Sequence, residues 1–181
     1  MNKAILMSIQ PKWLVKILNG DKTIEIRKTM PKCELPIDVY LYSTKDKSHL
    51  YFGDLTRQYE TDSYKNKWGD ELNGKVVAKF TLNKVEVIAD EEVVKVDELL
   101  KKSCLIIDEL FEYMVWDEKS YAYHIDNLVI FDKPMQLSEF YKSRFEPNKI
   151  TDAYEKTFHD LSKYRVTKAP QSWQYVYVKG E

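Results

Sequence analysis

The apolar positions of this chain change period several times, and each change marks an element. Residues 4–9 (AILMSI) form a short apolar run that reads as a buried strand. Over residues 11–19 the period becomes helical. Leu14, Ile17 and Leu18 repeat on one side, Pro11 suits a first helical position, and Gly20 suits the left-handed residue that ends a helix. Period two returns at Thr23-Ile24-Glu25-Ile26-Arg27, where a strand turns its isoleucines to a core and its polar residues to the other face. Residues 38–44 and 74–88 are the next predicted strands. In the second, Val76, Ala78, Phe80 and Leu82 share a face before the apolar phase shifts to Val85 and Val87. Such a shift predicts a bulge or a sharp bend.

Helical periodicity follows over 96–102 and 105–114. The second helix is expected to turn Ile107, Leu110, Phe111 and Met114 to the core and Asp108, Glu109 and Glu112 outward. Residues 121–131 return to strand character, with Tyr121, Tyr123 and Ile125 on one face and Ala122, His124 and Asp126 on the other. A short helix is expected over 138–142 with Ser138 as its cap, and Thr151 could cap another in which Tyr154, Phe158 and Leu161 repeat. Trp173, Tyr175 and Tyr177 then share one face of a closing strand. The alternation of strand and helix patterns predicts an α+β protein.

The length of 181 residues fits one domain, 1–181, and 44% apolar with 31% charged residues is ordinary globular composition. No apolar run reaches the twenty or so residues of a membrane span, and the N-terminus lacks a signal-peptide pattern, so no membrane association and a cytoplasmic location are expected. Cys33 and Cys104 argue neither for a disulfide framework nor for a metal site. No cofactor or metal is expected. The net charge of −1 hides an uneven distribution. Residues 1–32 hold seven Lys/Arg against two acids, residues 86–118 eleven acids against three lysines, and residues 133–181 nine Lys/Arg against six acids. One basic and one acidic face is the expectation if the termini meet. An ordinary solvated surface is the plain alternative.

Candidate chemistry concentrates at Gly20-Asp21-Lys22-Thr23-Ile24-Glu25-Ile26-Arg27, the one place where charged side chains are held at fixed spacing. Lys22, Glu25 and Arg27 would set an ammonium, a carboxylate and a guanidinium around one opening, a set suited to phosphate and to base amino groups. A Glu25–Arg27 ion pair that only fixes the strand, with Lys22 in solvent, is the competing reading. Lys12 and Lys16, one helical turn apart, repel unless an anion sits between them. His124 is the one histidine inside a strand; His49 and His159 have no partner in sequence. Residues 45–73 form a loop-rich insertion in which five aromatics interleave with Lys47, Arg57, Lys65 and Lys67, the composition of a single-stranded nucleic-acid groove or of a loop packed on the core. The Gly69 to Val76 stretch approaches a P-loop but has valine where the Mg²⁺-binding hydroxyl belongs and a strand where the helix belongs.

The G-x-K-x-x-E-x-R pattern resembles the ASCH domain, a branch of the PUA-like β-barrel superfamily. The strands at 4–9, 38–44 and 74–88 fit that resemblance. The segment YAYHIDNLVIFDKPMQLSEFY and the ending Ala169-Pro170-Gln171-Ser172-Trp173-QYVYV resemble its prophage and phage subgroup. The resemblance implies a PUA-like mixed β-barrel with helices over its openings, with the insertion at about 45–73 and a C-terminal extension at about 132–181. It implies RNA or a modified nucleobase, nucleoside or nucleotide as ligand, with Lys22, Glu25, Arg27, His124 and Trp173 lining the cleft and Lys12 and Ser172 beside it. A subgroup that hydrolyses acetylated cytidine implies an alternative, a small amidohydrolase or esterase in which Lys22 and Glu25 are the catalytic candidates. That subgroup carries a catalytic threonine where this chain has Glu25. Thr23 lies one strand pair earlier, and Glu109 and Glu112 are candidates for its acidic partner. A third reading, a host-interaction protein using the acidic face, has only the charge asymmetry behind it.

Overall fold

The computed structural model describes residues 1–45, 72–88, 96–113, 119–144 and 161–179. Most of the 45–73 insertion, His49, His159, Met114 and the helix expected from Thr151 lie outside the described residues, as does the side chain of Glu112.

The elements run β1 (Asn2–Ile9), α1 (Pro11–Leu18), β2 (Ile24–Arg27), β3 (Ile37–Ser43), β4 (Val76–Leu82), β5 (Val85–Ile88), α2 (Val96–Ser103), α3 (Ile107–Tyr113), β6 (Ser120–His124), β7 (Asp126–Met135), β8 (Phe140–Lys142) and β9 (Trp173–Val178). The fold is α+β. Its strands form a six-stranded sheet ordered β7-β4-β3-β1-β9-β8 and a three-stranded sheet ordered β2-β6-β5, two sheets rather than one closed barrel among the described residues. β1 runs parallel to β3 and antiparallel to β9, so β9 lies inside the main sheet between β1 and the edge strand β8. No described helix is long and apolar enough to cross a membrane.

Two places where the apolar phase slips are where the chain changes sheets. β4 belongs to the large sheet and β5 to the small one, so the slip between Leu82 and Val85 marks a crossing. The run predicted over 121–131 is likewise two strands, β6 in the small sheet and β7 in the large one, with Asn127 at φ 48 just after the change. Asparagine tolerates that left-handed conformation better than most residues.

The six-stranded sheet is covered on both faces. Ile5, Met7, Val39, Leu41 and Phe80 pack on one side with Leu14 and Ile17 of α1, and Leu6, Tyr40, Phe140 and Val176 pack on the other. A smaller cluster of Ile26, Leu105 and Leu110 joins the small sheet to α2 and α3. Here the helical pattern misled: among the described residues of the expected α3 face Leu110 alone is buried, while Ile107 and Phe111 are 40% and 56% exposed. Burial comes instead from Leu105, just ahead of the helix. Residues 137–139 form a 3₁₀ turn capped by Gln136 rather than a helix from Ser138, because Gln136 and Glu139 satisfy each other's backbone in a capping box and the chain then extends into β8.

Candidate functional site

The helix-to-strand junction is built as its residues dictate. Gln10 is extended ahead of Pro11, and α1 buries Leu14, Ile17 and Leu18. The Gly20 amide donates to the Ile17 carbonyl at 3.0 Å while Gly20 sits at φ +80. A Cβ there would meet nothing within 4 Å, so the dihedral alone demands glycine.

Beyond this turn, β2 is buried on both faces, Ile24 and Ile26 on one and Glu25 with half-buried Arg27 on the other. Register sets those faces: Glu25 lies opposite Tyr123 and Arg27 opposite Tyr121, while Ile24 lies opposite His124.

Lys22, Glu25 and Arg27 form one network. Glu25 Oε2 lies 3.2 Å from Lys22 Nζ and Glu25 Oε1 lies 3.1 Å from Arg27 Nη2, so both cations form ion pairs with the one carboxylate. Lys22 is 3% exposed, not solvated as the ion-pair reading had it. Its ammonium also donates to the Ser103 carbonyl at 2.7 Å, and the Thr23 amide donates to the Lys102 carbonyl at 2.9 Å. The junction therefore caps the carbonyl end of α2, where helical carbonyls lack partners and cations are favoured. Arg27 reaches the other way, donating to the Ser8 carbonyl at 2.8 Å and the Ser172 hydroxyl at 3.2 Å. Its Nε is buried with no hydrogen-bond partner. Two cations thus share one carboxylate, and one buried N–H donor is left over.

Aromatic rings flank the network. Lys22 Nζ lies 5.3 Å from the centre of the Trp13 ring, and Lys12 Nζ lies 4.3 Å from it. Lys12 pairs with Glu109 at 3.0 Å, so a carboxylate supplies the anion that the two helix lysines called for. Lys12 and the Ile106 amide together hold the Glu109 carboxyl below its ordinary range. On the other side, Trp173 donates from Nε1 to Thr29 Oγ1 at 3.0 Å and meets Tyr175 edge-on at 5.4 Å. The Tyr123 hydroxyl donates to the Thr29 carbonyl at 2.6 Å, and burial raises its pKa. Burial, followed by the neighbouring Cys33, pushes Tyr175 up to about 12.

The structure brings Lys22, Glu25, Arg27 and Ser172 together, with Trp173 next in chain and Lys12 joined through Trp13. It does not bring His124. That side chain shares the opposite sheet face with Ile24 and pairs with Glu86 at 2.8 Å, because strand alternation turns it away from Tyr123. His124 therefore lies on the other sheet face from Glu25 and Arg27. Glu109 serves Lys12 and makes no bond to Glu25. Both Glu25 oxygens face a cation. Trp13, Thr29 and the carbonyls of Ser8 and Ser103 were missed. The first two had no motif around them, and a backbone carbonyl carries no residue-type signal.

A family model for the ASCH domain matches residues 7–179. Among solved structures, the ASCH protein of Zymomonas mobilis superposes with a TM-score of 0.54 at 15% identity, over 95% of this chain and 86% of that one. A tyrosine-to-phenylalanine mutant of the Zymomonas mobilis protein gives 0.55 at 14% identity, over 96% and 90%. No curated protein sequence matches. The chain shares the fold of those structures, and by the family match, which runs from β1 through β9, it belongs to the ASCH domain family.

Proposed function

We propose that the protein is a binding module for RNA or a modified nucleobase, acting in the cytoplasm, with the recognised nucleotide seated against the Lys22–Glu25–Arg27 network. The observation that carries this reading is the incompleteness of that network. Two buried or half-buried cations face one carboxylate, and Arg27 Nε, itself buried, has no acceptor. An unpaired buried donor costs on the order of 1–3 kcal/mol, and an excess buried charge adds to that. A phosphate oxygen would supply both the acceptor and the negative charge, and a base carbonyl the acceptor alone. Trp13 and Trp173 flank the network and offer stacking surfaces, which RNA-binding sites use for unstacked bases. The likeness of residues 121–141 and 169–178 to the prophage and phage subgroup belongs to this reading. Hydrolysis of an acylated nucleoside is the less supported alternative, since Glu25 is held on both oxygens.

Fluorescence anisotropy with labelled single-stranded RNA and transfer RNA, at low and moderate salt, tests it. Arg27→Lys keeps a cation beside Glu25 but removes the guanidinium, and Trp173→Leu removes one ring. Both should weaken binding while each protein still melts cooperatively. Unchanged affinity in both variants would sink the proposed seat, and turnover of N4-acetylcytidine by the unmodified protein would move the reading to the hydrolase.

A further inference from the structure

We propose that a second nucleic-acid contact lies at the outer edge of the six-stranded sheet, where Lys142, Arg144, Lys163, Arg165 and Lys168 carry the sugar-phosphate backbone of an RNA whose recognised nucleotide sits at Arg27. This rests on the RNA-binding reading above and extends its footprint.

β8 is an edge strand, and the chain after its last residue turns back against residues 161–166. Lys142 Nζ and Arg144 Nη2 both donate to the Lys163 carbonyl, at 3.3 and 3.5 Å. Arg165 lies with its guanidinium 4.0 Å above the Tyr141 ring, and the Val166 amide donates to the Phe140 carbonyl at 2.9 Å. Four cations are thus gathered from two segments, with exposed Lys168 three residues further along the chain, and none of the five forms an ion pair among the described residues. The partners of Lys142, Arg144 and Arg165 are a carbonyl and an aromatic face, which hold those side chains in place and carry no charge themselves. The described stretch 161–179 contains four Lys/Arg and no acid. Gathering like charges around a neutral scaffold is unfavourable in the free protein and is reversed by a polyanion, which releases its counterions on binding. An Arg stacked on Tyr keeps the edge of its guanidinium free for phosphate oxygens.

The chain links the patch to the first site. From Lys163 the chain passes exposed Lys168 to Pro170, whose carbonyl accepts from Ser8 Oγ at 2.7 Å, and to Ser172, which accepts from Arg27 at 3.2 Å. The nine steps from Lys163 to Ser172 span at most about 30 Å even when fully extended. One single strand can therefore touch both ends. An acidic protein partner is the other occupant such a patch could take, but it would not need the link to Arg27.

The test compares single-stranded RNAs of about 4 and about 12 nucleotides, within the range of footprints seen for such grooves. Anisotropy titrations over a salt series would use the unmodified protein, the Lys163→Glu/Lys168→Glu pair, Arg144→Ala and Arg27→Lys. The long RNA should bind the unmodified protein tighter than the short one. The paired reversal should weaken the long RNA tenfold or more, and Arg144→Ala less. The salt slope should flatten by about 0.7 for each phosphate that a variant no longer neutralises, with the short RNA unaffected. No gain with length, or a long-RNA affinity and slope that survive both edge variants, overturns the proposal while short-RNA binding that depends on Arg27 leaves the first reading standing. Conversely, long-RNA binding that needs the edge but ignores Arg27→Lys keeps the edge and removes the seat. Absence of binding by either RNA removes both.

Discussion

Glu25 and Glu86 lie on opposite faces of the same three-stranded sheet, and each carboxylate is held between two side chains. Glu25 takes Lys22 and Arg27; Glu86 takes Lys84 and His124. In sequence the two look alike, since Glu25-Ile26-Arg27 and Lys84-Val85-Glu86 both put opposite charges two residues apart. Their surroundings differ. Glu25 is 6% exposed and its cations are each pinned by carbonyls of other elements, whereas the Glu86 side chain is 48% exposed. Charges in water attract weakly and are screened, while charges removed from water must be matched or the fold suffers. The first cluster therefore ties α2, β1 and the β9 approach together, and the second decorates a surface.

The contrast is sharpest at the carboxylates. Glu25→Gln leaves two cations without a counter-charge in the interior, and we expect a loss of about 3–5 kcal/mol in urea unfolding. A loss below about 1 kcal/mol would mean that the network is solvated like its counterpart. Lys22→Met should cost less, about 1–2 kcal/mol, because Glu25 keeps Arg27 and the cluster becomes neutral while the cap on α2 is lost. If Lys22→Met proved the more damaging, the cap rather than the charge balance would be the main contribution. Both variants bear on binding studies, since a drop in RNA affinity on losing Lys22 must be separated from partial unfolding.

Glu86→Gln should change stability at neutral pH by less than about 1 kcal/mol, after allowance for solvent screening. Lys84 first, then His124, holds the Glu86 carboxyl down to about 2. A depressed carboxyl contributes stability above its unfolded value of about 4.3 and loses it as pH falls from there toward 2. The difference between the unmodified protein and Glu86→Gln should therefore be constant above about pH 5 and shrink in acid; a difference that grew in acid would contradict the ion pair. The smallest expected effect is that of salt. Raising it from about 0.1 to about 1 M should erase the Glu86→Gln difference and leave most of the Glu25→Gln difference, since screening acts on solvated charges.

The local rules carried far in this chain. Pro11, the Leu14/Ile17/Leu18 spacing and Gly20 placed α1 and its end, and the alternation at 23–27 put Glu25 and Arg27 on one face. The fixed spacing of Lys22, Glu25 and Arg27 pointed to three side chains that the fold brings into one ion-pair network. Local rules failed where a segment's partners lie far away in sequence. Alternation within 121–131 could not reveal that β6 and β7 belong to different sheets, and so could not show that His124 faces Glu86 rather than Arg27. Helical periodicity at 105–114 could not say that little of the described chain covers Ile107 and Phe111.

What sequence alone determined, then, is which backbone conformations are allowed and which side chains share a face, because those follow from dihedral freedom and from periods of 3.6 and 2. Tertiary structure decided which face meets water. Lys22 is buried because the end of α2, some eighty residues later, brings the Ser103 carbonyl to its ammonium, and Arg27 is tethered because β1 and the start of β9 bring Ser8 and Ser172. The strength of a charge depends on the solvent left around it, and that is a property of the packed chain rather than of any stretch of it.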